Sequence, residues 1–166
     1  MRGQKESDSQ KMNTGKFQVT NATQHILIVE DNDDDFECTY DAFHAYPKFR
    51  NPIRRARDGK EALAYLHHRP PFDDPLRYPR PSLILLDLNM PGIDGKAVLD
   101  DIRRYEELKS LPVIVFSTSH DPIDIEMCYR MGANSYVSKP TSLDGLLTAI
   151  QRVREYWFDT SIIPRQ

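Results

Sequence analysis

The chain of 166 residues lacks any apolar run longer than a handful of residues. ILIV, LILL and VIVF are typical, where a membrane helix needs about 20. The opening MRGQKESDSQ has none of the apolar stretch of a secretory signal. Cysteine is scarce: Cys38 and Cys128 stand far apart in no metal-binding or redox spacing, which reads as reduced thiols in a cytoplasmic protein. Positive charge is not in excess either. With 22 Lys+Arg against 25 Asp+Glu and a formal charge of −3, the chain has no broad basic face for nucleic acid, so DNA is not an expected partner. Neither GxxxxGK[ST] nor GxGxxG occurs, so nucleotide binding is unsupported. What remains is a chain of one-domain size, 39% hydrophobic and 28% charged, long enough for a real core.

Residues 1–24 are polar, with four basic and two acidic side chains and no periodicity, and read as a mobile N-terminal tail. From His25 the texture changes. Three aliphatic runs, Ile26–Val29, Leu83–Leu86 and residues 113–116, show no alternation, as suits parallel strands buried on both faces. Weaker strands are expected at Ile53–Ala56 and Ser135–Ser138. Helical stripes lie between them: Phe36, Tyr40 and Phe43; Val98, Leu99 and Ile102; and a long one from Leu143 through Leu146, Leu147, Ile150 and Val153 to Trp157. Helices are also expected after Asp58-Gly59 and from Pro122. Strand followed by helix, five times over, implies an α/β domain with a parallel sheet and right-handed crossovers. Residues 68–81 hold five of the twelve prolines and predict an extended, semi-rigid loop. The domain is placed at 25–157, with 158–166 as an extension whose Ile162-Ile163-Pro164 needs an apolar surface.

In open α/β sheets functional groups gather beyond the carboxyl ends of the strands. The residues there are Glu30 and Asp31 after the first run, Asp87 after the second, Ser117 and Thr118 after the third, and Lys139-Pro140 after the last short strand. If the first and third strands adjoin, the carboxylates converge. Two like charges about 4 Å apart repel by roughly 4 kcal/mol at an effective dielectric of 20. A divalent cation and Lys139 would reverse the sign, and an oxygen-only site with room for water suits Mg²⁺ better than Zn²⁺. Carboxylate, cation, lysine and hydroxyl together make an apparatus for phosphoryl transfer, with Asp87 as nucleophile. Plainer readings weigh on parts of this set. Asp33, Asp34 and Asp35 are assigned only to the dipole of a helix start, and His67-His68 to a solvated surface. Tyr105, Tyr129, Met127 and Met131 are read as packing residues.

The segments ILIVEDN (26–32), LILLDLNMPGIDG (83–95), PVIVFSTS (112–119) and YVSKP (136–140) together resemble the receiver domain of two-component response regulators. The resemblance spans about residues 25–155 and implies a doubly wound, flavodoxin-like sheet of five parallel strands in the order 2-1-3-4-5 with five helices. By position it makes Asp87 the phosphoacceptor, a signalling group rather than an enzyme's. Asp31 matches the direct Mg²⁺ ligand, Glu30 its acidic neighbour, and Asn89 a backbone-carbonyl ligand. Ser117 matches the switch hydroxyl, the Thr118 amide and Lys139 the phosphate binders, and Tyr136 the aromatic that follows the switch. The Lys139–Pro140 bond matches a cis peptide.

Only 27 residues follow Lys139, which implies a single-domain regulator whose output is a contact surface. The proline-rich insert, Tyr156-Trp157-Phe158 and the closing isoleucines resemble the regulators that accompany phytochrome-type histidine kinases. That implies a bacteriophytochrome-like kinase as partner and a homodimer through the last helix and the extension; docking of the extension on its own core is the alternative. Two other classes stay open. One is a phosphorylation-independent, dimeric scaffold on the same fold. The other is a Mg²⁺-dependent phosphohydrolase, which commonly needs a second aspartate two residues past the nucleophile; Asn89 stands there and cannot transfer a proton.

Overall fold

A computed structural model describes residues 24–164. The tail assigned to residues 1–24 therefore lies almost wholly outside the described residues. The elements run β1 Ile26–Val29, α1 Asp33–His44, β2 Ile53–Ala56, α2 Gly59–Leu66, β3 Leu83–Leu86, α3 Gly95–Arg104, β4 Val113–Ser117, α4 Pro122–Arg130, β5 Ser135–Ser138 and α5 Leu143–Arg154. All strand pairs are parallel, in the order β2-β1-β3-β4-β5. Both weak strands form at the expected residues.

Each helix begins on a side chain that accepts from its first turn. Asn32, Asp58, Asp94, Asp121 and Ser142 take the amides of Asp35, Glu61, Ala97, Ile123 and Gly145. The unbroken aliphatic runs work because the sheet is covered twice. Leu27, Val29, Ile84, Leu86, Val113 and Val115 face α2, α3 and the Cys128 side of α4. Ile26, Ile28, Leu83, Leu85, Ile114 and Phe116 face α1 and α5 through Phe43, Ile150 and Val153.

Several expectations change. The Lys139–Pro140 peptide is not cis; among the described residues the cis bond is Pro70–Pro71. The two isomers before proline differ by only about 0.5–1 kcal/mol, so local packing decides. The insert at 68–81 is less extended than its prolines suggest. Phe72 and Tyr78 close on Tyr65 of α2, with ring centroids 5.1–6.2 Å apart, and the Tyr65 hydroxyl donates to the Pro79 carbonyl at 2.8 Å. His67 is not solvated: its side chain is 7% exposed, its Nε2 lies 2.6 Å from Asp101 Oδ1, and its ring meets Tyr105 edge-on. The last turn of α2 packs on α3, which turns His67 inward. Tyr129 and Met127 are exposed, Tyr105 is partly exposed with its ring against His67, and Met131 lies against the core. The thiols differ from each other: Cys38 is exposed and Cys128 is buried, where desolvation pushes it up from its ordinary pKa.

The C-terminal stripe does not run as one α-helix. After Arg154 the chain widens into a π-helical turn, Glu155–Thr160. Phe158 then meets Phe49 edge-on at 6.1 Å, and Ile163 joins the same core, while Ile162 stays 88% exposed. Phe158 and Ile163 of the extension thus dock on their own protomer, and Ile162 does not.

Gly95 ties the start of α3 to the end of β3. Its amide donates to the Leu88 carbonyl at 3.1 Å, and a Cβ at this position would lie 2.1 Å from the Asp87 carbonyl oxygen and 2.8 Å from Leu88 Cα. Both neighbours are backbone and cannot swing away. Gly95→Ala is expected to destabilise the fold by about 1–3 kcal/mol, read from urea unfolding.

Candidate functional site

The sheet ladder continues one residue past three strands, and those residues carry the chemistry. Glu30 N donates to the Ala56 carbonyl at 2.9 Å, Asp87 N to Val29 at 3.0 Å, and Lys139 N to Ser117 at 2.8 Å. Strand order does the rest: β1 and β3 adjoin, so Glu30 and Asp87 rise side by side at one rim. Carboxylate oxygens of Glu30, Asp31 and Asp87 lie within 4.8 Å of one another, with Glu30 and Asp87 buried and Asp31 exposed. All three offer hard oxygen donors, a set that fits Mg²⁺ or Mn²⁺ with water completing the shell.

Lys139 answers the negative charge from the far strand. Its Nζ donates to Glu30 Oε2 at 2.5 Å and to Asp87 Oδ2 and Asp35 Oδ2 at 3.0 Å each. Burial alone would push this amine down. The hydrogen bond to Glu30 and the charges of Asp87 and Glu30 outweigh it and hold the ammonium well above its ordinary pKa. Burial likewise pushes the Glu30 carboxyl up, with Lys139 pulling the other way.

Asp35 corrects the expectation that the three aspartates only serve the helix dipole. Sitting third in α1 after the Asn32 cap, it turns toward the rim and completes the lysine's set of acceptors. Asp33 instead pairs with Arg55 and Arg57. Three consecutive aspartates look alike in sequence, and only the helix phase separates them.

On the other side of Asp87, its Oδ1 accepts the Asn89 amide at 3.3 Å. The buried Ser117 hydroxyl sits within 3.5 Å of Asn89 Nδ2 and accepts the Ser119 amide at 3.3 Å. Thr118 is exposed and, with Asp35, Cys38, Lys139 and Pro140, lines a cleft of about 320 Å³ beside the acceptor. The Tyr136 hydroxyl donates to the Ser119 carbonyl at 3.0 Å, so the β4–α4 loop links the serine to the aromatic. All eight residues singled out from the sequence therefore border one rim.

A further contact was not legible. Lys96 Nζ of α3 meets Asp124 Oδ1 of α4 at 2.5 Å, and Ser119 Oγ donates to Asp124 Oδ2 at 2.7 Å. Lys96 first, then Ser119, hold the Asp124 carboxyl below its ordinary value. A carboxyl lowered by folding stabilises the protein above its unfolded pKa and ceases to do so as pH falls through the folded one. The stability gap between wild type and Asp124→Asn is expected at neutral pH and should close below the ordinary carboxylate range. Urea unfolding at stepped pH reads it.

Residues 26–151 match the response regulator receiver domain family. The chain belongs to that family. Response regulator Rcp1 of Synechocystis is 33% identical over 145 residues, covering 87% of this chain and 96% of that protein. The phosphorylated cyanobacterial phytochrome response regulator RcpA is 36% identical with a TM-score of 0.81, covering 86% of this chain and 99% of that one. The Mn²⁺-bound form of Rcp1 superposes with a TM-score of 0.79 at 33% identity, covering the same shares. This receiver domain is thus similar over nearly its whole described length to phytochrome-associated regulators. Among the described residues no helix is long and apolar enough to cross a membrane.

Proposed function

We propose that this receiver domain takes a phosphoryl group from a sensor histidine kinase onto Asp87 and uses the new charge to switch a protein-contact surface. The carrying observation is Lys139 set between Glu30 and Asp87, with the Asp31 carboxylate within reach of both. In the reaction a carboxylate oxygen of Asp87 attacks the phosphorus of a phosphohistidine. The P–N bond breaks, its electron pair stays on the ring nitrogen, and an acyl phosphate forms. A divalent cation held by Glu30, Asp31 and Asp87 with the Asn89 carbonyl would neutralise charge on the phosphoryl oxygens. Lys139 presents its ammonium to the same charge, and water later cleaves the acyl phosphate, so the protein is a phosphoacceptor rather than a turnover enzyme.

The switch begins at Ser117. Turning its hydroxyl to the phosphoryl group gives up the contacts with Asn89 and the Ser119 amide. The Ser119 carbonyl holds Tyr136, so the loop and the aromatic ring move together and shift the balance between two packed states. The similar phytochrome-associated proteins make a phytochrome-type kinase the first donor to try.

The test is a phosphate-affinity gel after incubation with a small phosphodonor and Mg²⁺. A shifted band is expected from the wild type and none from Asp87→Asn. No shift, or one that survives the substitution, favours a phosphorylation-independent scaffold. Assembly is part of the same reading: exposed Tyr156, with Val137, Arg152, Val153 and Trp157, lines a groove of about 600 Å³ beside the β5 edge, and Ile162 of the extension is exposed as well. We infer a homodimer on this face, which chromatography before and after phosphorylation would reveal.

A further inference from the structure

Two of the three carboxylates that would hold a cation are neighbours in the short connection between β1 and α1, while Asp87 stands one residue past β3. Glu30 and Asp31 lie between the end of β1 and the Asn32 cap of α1, and Asp31 is exposed. Their backbone is gripped by Arg55, the third residue of β2. Its side chain is only 11% exposed. Nε donates to the Glu30 carbonyl at 3.0 Å, one terminal nitrogen to the Asp31 carbonyl at 3.1 Å, and the other to Asp33 Oδ1 at 2.5 Å. The guanidinium also lies 4.7 Å from the centre of the Phe36 ring. Every nitrogen of the fork is engaged and the group lies over an aromatic ring, which together fix its direction.

We propose that Arg55 is a positioning residue for the cation site, holding the Glu30 and Asp31 peptides so that their carboxylates meet Asp87. This rests on reading the site as a cation-dependent phosphoacceptor. The residue's own charge provides a discriminating sign. Acting through charge alone, a guanidinium this close would repel a divalent ion, and removing it would tighten binding. Acting through position, its removal weakens binding. Arg57 supplies the matched control. It also pairs with Asp33, at 2.6 Å, but its side chain is 64% exposed and donates to Asp33 rather than to either ligand's backbone, its main-chain amide going to Glu61.

Calorimetric titration of Mg²⁺ into the wild type, Arg55→Gln and Arg57→Gln decides the matter, with the free Mn²⁺ resonance signal as a second readout. Arg55→Gln is expected to bind about tenfold more weakly, as when groups that orient metal ligands are lost. Arg57→Gln is expected to bind equally well or more tightly. Arg55→Lys keeps the charge without the fork and should fall in between; it also serves if the glutamine variant does not fold. Unchanged or tighter binding by the Arg55 variants overturns the proposal while the cation-dependent reading stands. A wild type that binds neither ion overturns both.

Discussion

Replacing Lys139 by alanine is expected to destabilise the cation-free protein by about 3–5 kcal/mol, the usual effect of removing one partner of a buried charge pair. Glu30 and Asp87 would be left buried side by side, with Asp31 and Asp35 close by and no internal cation. Some relief is available, because Glu30 is already pushed up by burial and can take a proton. Mg²⁺ offers a second relief, since it supplies the missing positive charge to the same carboxylates. Urea unfolding with and without the ion should therefore show the variant gaining more from Mg²⁺ than the wild type does. Equal stability of variant and wild type in metal-free buffer would mean that the cluster does not need its lysine. Label transfer should fall sharply in the same variant, because the ammonium that meets the phosphoryl charge is gone.

The parallel strands were legible because hydrophobic burial writes itself plainly, while their order came from the resemblance to receiver domains. ILIV and LILL have no polar alternation, and only a strand covered on both faces tolerates that. The site was legible for a related reason: a charge ending such a run, as Asp87 does, must find partners, and one rim gathers the candidates. Helix phase was harder. Nothing in the string DDD says that Asp35 reaches Lys139 while Asp33 reaches Arg55 and Arg57, since that depends on where the Asn32 cap starts the helix. Arg55 was hidden differently. It sits on the edge strand in an unremarkable IRRA, and its acceptors are backbone carbonyls, which leave no trace in side-chain identity. The His67–Asp101 and Lys96–Asp124 contacts join residues 34 and 28 positions apart, and two surface helices had to be packed before either pair could be seen.

Asp87→Asn is expected to do the opposite of Lys139→Ala to stability, although both abolish or cripple the same chemistry. The amide keeps the shape of the carboxyl, but its single oxygen can accept from Lys139 or from the Asn89 amide, not from both as the two carboxylate oxygens do. What it removes is a negative charge among three others, Glu30, Asp31 and Asp35, of which Lys139 directly bonds Glu30 and Asp35. With three carboxylates repelling Asp87 and one ammonium attracting it, the metal-free variant is expected to be more stable, by about 0.5–2 kcal/mol, the usual size of a single stabilising substitution. The gain should shrink as Mg²⁺ is added, because the ion relieves the wild type and has less to bind in the variant. Phosphoryl incorporation should vanish entirely, since an amide oxygen is no nucleophile toward phosphohistidine. A variant that is inactive and less stable than the wild type in metal-free buffer would show that attraction to Lys139, not mutual repulsion, dominates the rim.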